Sequence, residues 1–318
     1  MPNISEFSKN SHENMAEGKN DPFPKYQKNL GIAVLLMMGF GICASLLDSI
    51  AKSLSHDLPV LQVVWARYFF HLLLLLPLVL YVHRLKVFTP NRAKLQILRA
   101  SFLLLSTCFY FTALSKIYMA NAQALVFSAP LTITILSPFL LKEKVGIYRI
   151  SAVIVGFIGM LVIINPSFDS SFINVGSFYA VLAGITYAFY ILLTRLLHEE
   201  SALITLFFTG LIGSVVLSIL MPFIWVAPSP YQWGFMAGIG ICGAIAHLFL
   251  IFAYRFADAS QLSPWMYAKL LFTSIAGYLF FSEMPSSSTW LGASIIVIAG
   301  IYIWHRERVR KAMQHKNA

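Results

Sequence analysis

The sequence predicts an all-α polytopic membrane protein of ten transmembrane helices, arranged as two inverted five-helix repeats. Three observations carry that expectation. Ten apolar stretches fill the chain from Leu30 to Trp304 with little between them, each near the roughly twenty residues of helix that cross a bilayer. The 318 residues are 58% hydrophobic and 11% charged, with a mean hydropathy of +0.74, whereas soluble domains carry about 25% charged residues. A pattern of small residues, proline, glutamate and glycine in residues 120–164 returns in 257–303.

The elements follow in order. Residues 1–29 are polar and of mixed charge, lack the apolar run of a signal peptide, and read as a disordered cytoplasmic tail. Spans are expected at 30–54, 59–82, 96–115, 119–141 and 148–165, then at 174–195, 201–226, 231–254, 259–281 and 288–305. The first repeat thus occupies 30–166 and the second 174–305, with a basic cytoplasmic tail over 306–318.

Lys and Arg set the orientation. Most of the 23 basic residues fall in the two tails or in the loops after spans two, four, six and eight, including Arg84, Lys86, Arg92, Lys142, Arg195 and Arg255. The opposite face carries only Lys52 and Lys116. Basic loops stay in the cytoplasm, so both termini are expected there. The net charge of +10 therefore reads as topology and excludes a nucleic-acid partner.

In the first half, ANAQALVFSAP precedes a span, LLKEKV and a helix with Gly156 and Gly159. In the second, ADASQLSP precedes a span, LFFSEMP and a helix with Gly292 and Gly300. Glu143 and Glu283 hold matching places, just before the last span of each half, and are expected to tie helix ends across loops. Five spans per copy oblige the second copy to enter the membrane inverted, the design of transporters whose site lies near the midplane.

Polar groups inside a span are costly, so each is a functional candidate. Asp48 is the one acidic residue clearly within a span, and Lys52 follows at helical ion-pair spacing. Asp48 reads either as a proton-coupling or substrate-ammonium site, or as a counter-ion for Lys52, Arg67 or Lys269. Arg67 and His71 share span two, His247 lies in span eight and Lys269 in span nine. Arg67 either snorkels to the headgroups or pairs with Asp48, and the histidines read first as packing residues. Pro130 and Pro264 are expected to kink spans four and nine, freeing a carbonyl for a substrate or a hinge, with Ser128 and Ser263 close by to donate. Gly234 and Gly238 form a GxxxG close-packing spacing. Cys43, Cys108 and Cys242 lie within apolar spans, without metal-ligand spacing.

These features, with the run AHLFLIFAYRFADASQLSPWMYAKLLFTSIAGYLFFSEMPSSSTWLG, resemble the drug/metabolite transporter superfamily with two EamA-type domains. The resemblance covers roughly residues 30 to 308 and lies nearest the bacterial branch of riboflavin importers, beside the S-adenosylmethionine importers. It implies a secondary active transporter of the bacterial inner membrane. The cargo would be a vitamin or nucleoside-like metabolite, carried by alternating access; the alternative is an exporter of amino acids, drugs or metabolites with the same fold, and an alternative of another class is a membrane-embedded enzyme or channel. It also implies that Tyr110, Tyr187, Tyr190, Trp265 and Tyr267 line a central cavity, suited to stacking on a planar ring. Lys269 departs from the branch, which tends to place a neutral amide after the Pro–x–x–Tyr pattern of Pro264 and Tyr267. A cation there favours a cargo with negative charge or strong acceptors. The chain shows no nucleotide-binding loop and no catalytic constellation, so neither an ATP-driven motor nor an enzyme is expected. No cofactor and no metal are implied. A small-molecule substrate, the bilayer and coupling protons are the expected partners of a monomer or homodimer.

Overall fold

The structure, a computed structural model, describes residues 29–83, 92–141, 147–164, 175–197, 200–256, 265 and 268–316. The N-terminal segment 1–28, Glu143, Ser263, Pro264 and Tyr267 lie outside the described residues. Every described regular element is helical. The first half contains α1 (Leu30–Leu54), α2 (Val60–His83), α3 (Ala93–Leu114), α4 (Met119–Val126), α5 (Ser128–Leu141) and α6 (Ile147–Ile164). The second contains α7 (Val175–Leu196), α8 (Ala202–Ile224), α9 (Pro230–Phe256), α10 (Ala268–Phe281) and α11 (Ser287–Lys316).

Among these, six helices (α1, α2, α3, α7, α8 and α9) are long and apolar enough to cross a membrane, and four further apolar stretches are shorter. The helices start where the sequence supplies caps. Asn29 accepts the Ile32 N–H at 3.2 Å to open α1. Ser229 and Gln232 exchange side-chain and backbone hydrogen bonds at 3.3 and 2.9 Å around Pro230, a capping box with proline in the first turn. The basic tail does not leave the last helix, since α11 continues to Lys316.

Span four, expected as one helix, is two. The break falls at Phe127, three residues before Pro130, which has no N–H for the Val126 carbonyl and disfavours helix against it. The Val126 carbonyl and the Ser128 hydroxyl instead crowd Gly184 of α7.

The packing is preserved when the halves are exchanged. Helix α1 lies along α9 as α3 lies along α7, and α2 meets α9 as α8 meets α3. The same exchange maps α2 on α8, and α6 on α11, onto themselves. The α6–α11 contact is tight because both helices offer glycine: a Cβ on Gly159 would stand 2.8 Å from the Gly292 carbonyl oxygen. The GxxxG of α9 has no such role, for Gly234 faces open space. The close approach on that helix is at Gly240, against the backbone of Phe70 and His71.

The largest buried apolar cluster joins Leu47 and Ala51 of α1 to Val63, Phe111, Leu125 and Met236. Outward-facing positions are apolar too, among them Leu35, Phe139, Ile219 and Phe223, as on a surface solvated by lipid.

Candidate functional site: two charged clusters between the halves

Helix α1 carries a polar stripe. Ser45, Asp48, Ser49 and Lys52 recur at the three- and four-residue spacing of one helix face, and all four are buried. A polar stripe inside a bundle must find partners there, and α10 supplies two of them, Thr273 and Lys269. The Ser45 and Thr273 hydroxyls share a hydrogen bond at 3.0 Å. Asp48, 2% exposed, pairs with Lys269 at 3.0 Å and accepts the Tyr110 hydroxyl at 3.0 Å. That hydroxyl also lies 3.1 Å from the Gln123 side-chain amide, and the Lys269 ammonium sits 5.4 Å from the centre of the Tyr110 ring.

Lys52 does not pair with Asp48. Its ammonium meets Glu283 at 2.6 Å and donates to the carbonyls of Leu114 and Ile117 at 2.8 and 2.7 Å. Glu283 accepts the Met119 N–H at 2.7 Å through its other oxygen, which satisfies an orphan donor at the start of α4. Glu283 can reach this place because Ser282, with φ of 53°, turns the chain at the end of α10. The result ties α1 and α4 of the first half to α10 of the second.

The second cluster is cationic. Arg67 turns toward α3 and does not pair with Asp48. It donates to Thr107 at 2.7 Å and lies over the rings of Tyr68 and Phe111. Arg67, Tyr68, His71, Thr209 and His247 line a small cavity with room for about one water molecule. The imidazoles of His71 and His247 stand perpendicular, 5.9 Å apart.

Next to the cavity, Arg99 is 1% exposed. It donates to Thr194 at 2.8 Å, to Thr209 and the Thr205 carbonyl at 3.0 and 3.1 Å, and to the Tyr190 hydroxyl at 3.0 Å. Its guanidinium stacks on the Tyr190 ring, 4.6 Å from the centroid, and Tyr190 stacks on Tyr187 at 5.4 Å.

The sequence-predicted residues thus separate into groups. Asp48, Lys269 and Tyr110 form one cluster; Arg67, with Tyr190 and Tyr187 through Arg99, belongs to the other. Ser128 is buried with no hydrogen-bond partner for its hydroxyl among the described residues. Trp265 is 42% exposed and joins neither cluster. Arg99 is not legible as a site residue in the sequence, because hydropathy does not show that α7 and α8 cover the first turns of α3. The stripe of Ser45 and Ser49 around Asp48 was present in the spacing.

Buried charges that face each other across two similar halves of a membrane bundle define a class: a multi-pass transporter with a polar interior. The chain belongs to the EamA-like transporter family, whose model matches residues 31–165 and again 174–304. It is 30% identical over 299 residues to the S-adenosylmethionine uptake transporter of Rickettsia felis, an alignment that covers 94% of this chain and 99% of that protein. It is also 30% identical over 288 residues to the riboflavin transporter of Vibrio cholerae, covering 87% and 95%. A solved crystal structure at 18% identity shares the fold, with a TM-score of 0.61 over 85% of this chain and 96% of the other.

Proposed function

We propose that the chain is a secondary active transporter that takes up S-adenosylmethionine, or a nucleoside-like metabolite with the same charges, across a bacterial inner membrane. The observation that carries this reading is the buried Asp48–Lys269 pair, with Tyr110 on the carboxylate, at the junction of the halves. Such a pair can open to give the Asp48 carboxylate to a cationic group, with the Lys269 ammonium kept over the Tyr110 ring. S-adenosylmethionine carries cationic groups for that carboxylate, and riboflavin carries none. The relative from Rickettsia felis, aligned along nearly the whole chain, supports the same cargo.

In this reading Lys269, Tyr267, Trp265, Tyr110, Tyr187, Tyr190 and Ser128 face the cargo, and Pro130 and Pro264 act as hinges. Asp48 is the coupling carboxylate. The halves rock about the site so that it opens to each side in turn; packing that survives their exchange supports this, since the two states related by that exchange then have similar energies. Both termini face the cytoplasm, on the side rich in Lys and Arg.

Proteoliposomes decide the matter. Saturable accumulation of labelled S-adenosylmethionine, enhanced by an inward proton gradient, is the expected result. Riboflavin accumulation in its place would shift the cargo to the other relative's, and accumulation of neither would overturn the reading.

A further inference from the structure

We propose that Arg67, His71 and His247 form a subsite that takes a carboxylate group of the cargo. The inference rests on the transporter reading for its choice of cargo, but not for the site itself.

Among the described interior groups, Lys52 is matched by Glu283 and Lys269 by Asp48. Arg67 and Arg99 have no such match, and all their partners are neutral hydroxyls, carbonyls and rings. Of the five N–H donors of a guanidinium, Arg67 uses one on Thr107, while its side chain lines the cavity. Cations held in a membrane bundle without an anion are expensive and mark ligand paths.

His71 leaves a hydrogen-bond position open. His71 is 5% exposed, and its Nε2 is buried with no partner among the described residues. The same side chain lines the cavity beside Arg67 and His247. A buried polar atom without a partner costs free energy that a ligand recovers.

His71 lies at the middle of α2, and the walls come from α2 of the first half and from α8 and α9 of the second. A group bound there touches both moving bodies. The cavity admits about one water molecule, so a planar carboxylate, which matches the guanidinium fork, enters as the halves part.

The test uses the purified full-length protein in detergent, with ligand-dependent melting followed by tryptophan fluorescence. The probes are S-adenosylmethionine against its decarboxylated form, and sodium acetate against sodium chloride at equal ionic strength. The wild type is expected to prefer the carboxylate-bearing molecule by about a hundredfold, and Arg67→Gln to erase most of that preference. Acetate should raise the melting temperature of the wild type and not that of Arg67→Gln. Arg67→Lys, which keeps the charge and loses the fork, should fall between them and remains informative if Arg67→Gln does not fold. An undiminished preference in the variants, or a wild type indifferent to acetate, overturns the subsite. Failure to bind S-adenosylmethionine, beside an Arg67-dependent acetate effect, removes the proposed cargo and leaves the subsite standing.

Discussion

The ammonium of Lys269 lies 3.0 Å from the Asp48 carboxylate, joining α10 of the second half to α1 of the first inside the bundle. An ion pair in low dielectric gains little net stability over an apolar pair, yet losing one partner strands the other. This asymmetry makes the pair testable without knowledge of the cargo.

Asp48→Asn and Lys269→Gln are each expected to destabilise the protein by about 3 kcal/mol. The double variant should recover most of that loss, because no unpaired charge remains. Melting of the four proteins in detergent closes the cycle. If the double variant melts normally but transports nothing, the pair serves the cargo or the coupling ion. If it transports as the wild type does, the pair is scaffold.

Tyr110→Phe removes the hydroxyl that donates to Asp48 and keeps the ring under Lys269. A hydrogen bond to a charged group contributes about 1.5–3 kcal/mol, so a loss in that range is expected. Tyr110→Leu should cost more, because it also removes the ring from the cation. Equal melting temperatures for the two variants would show that the ring–ammonium contact is without effect.

Gly159→Val should loosen the seam between α6 and α11, where even a Cβ would stand 2.8 Å from the Gly292 carbonyl. Overpacking of this kind costs about 1–3 kcal/mol. Gly234→Ala, facing open space, should be neutral or gain up to about 1 kcal/mol from helix propensity. Size-exclusion profiles and melting curves of the two variants check the contrast.

That contrast also shows what the sequence could convey. Gly234 and Gly238 match a packing motif, but a spacing does not say which face of α9 meets a neighbour, and the contact falls at Gly240. The spans were legible because each is a local property of about twenty residues. The order of small residue, proline, glutamate and glycine placed Glu283 at a helix end with a tying role. The partner of Lys52 was not legible: spacing along α1 favours Asp48, whereas packing brings in Glu283 from more than two hundred residues away. Arg99 shows the same limit, since its burial depends on helices encoded a hundred residues later.

The Lys52–Glu283–Met119 tie gives the last prediction. Glu283 plays two parts: one oxygen meets the Lys52 ammonium, and the other accepts the first N–H of α4. Glu283→Gln keeps an acceptor for Met119 and removes the charge, whereas Glu283→Ala removes both. The first should cost about 3 kcal/mol, the usual loss on stranding a buried cation, softened by the two carbonyls that also hold Lys52. The second should cost about 1–3 kcal/mol more, for the buried N–H left without a partner. Lys52→Met alone strands the carboxylate, yet Lys52→Met with Glu283→Gln should recover stability, because no unpaired charge remains and the Met119 N–H keeps its acceptor. Since the tie joins the halves at the end of the bundle that holds the α1–α2 turn, its removal should also ease their separation there. That is read as faster labelling of a cysteine placed at Ser49, whose buried side chain faces Met119. Unchanged labelling in the Lys52→Met, Glu283→Gln protein would mean that the tie caps α4 without holding the halves together.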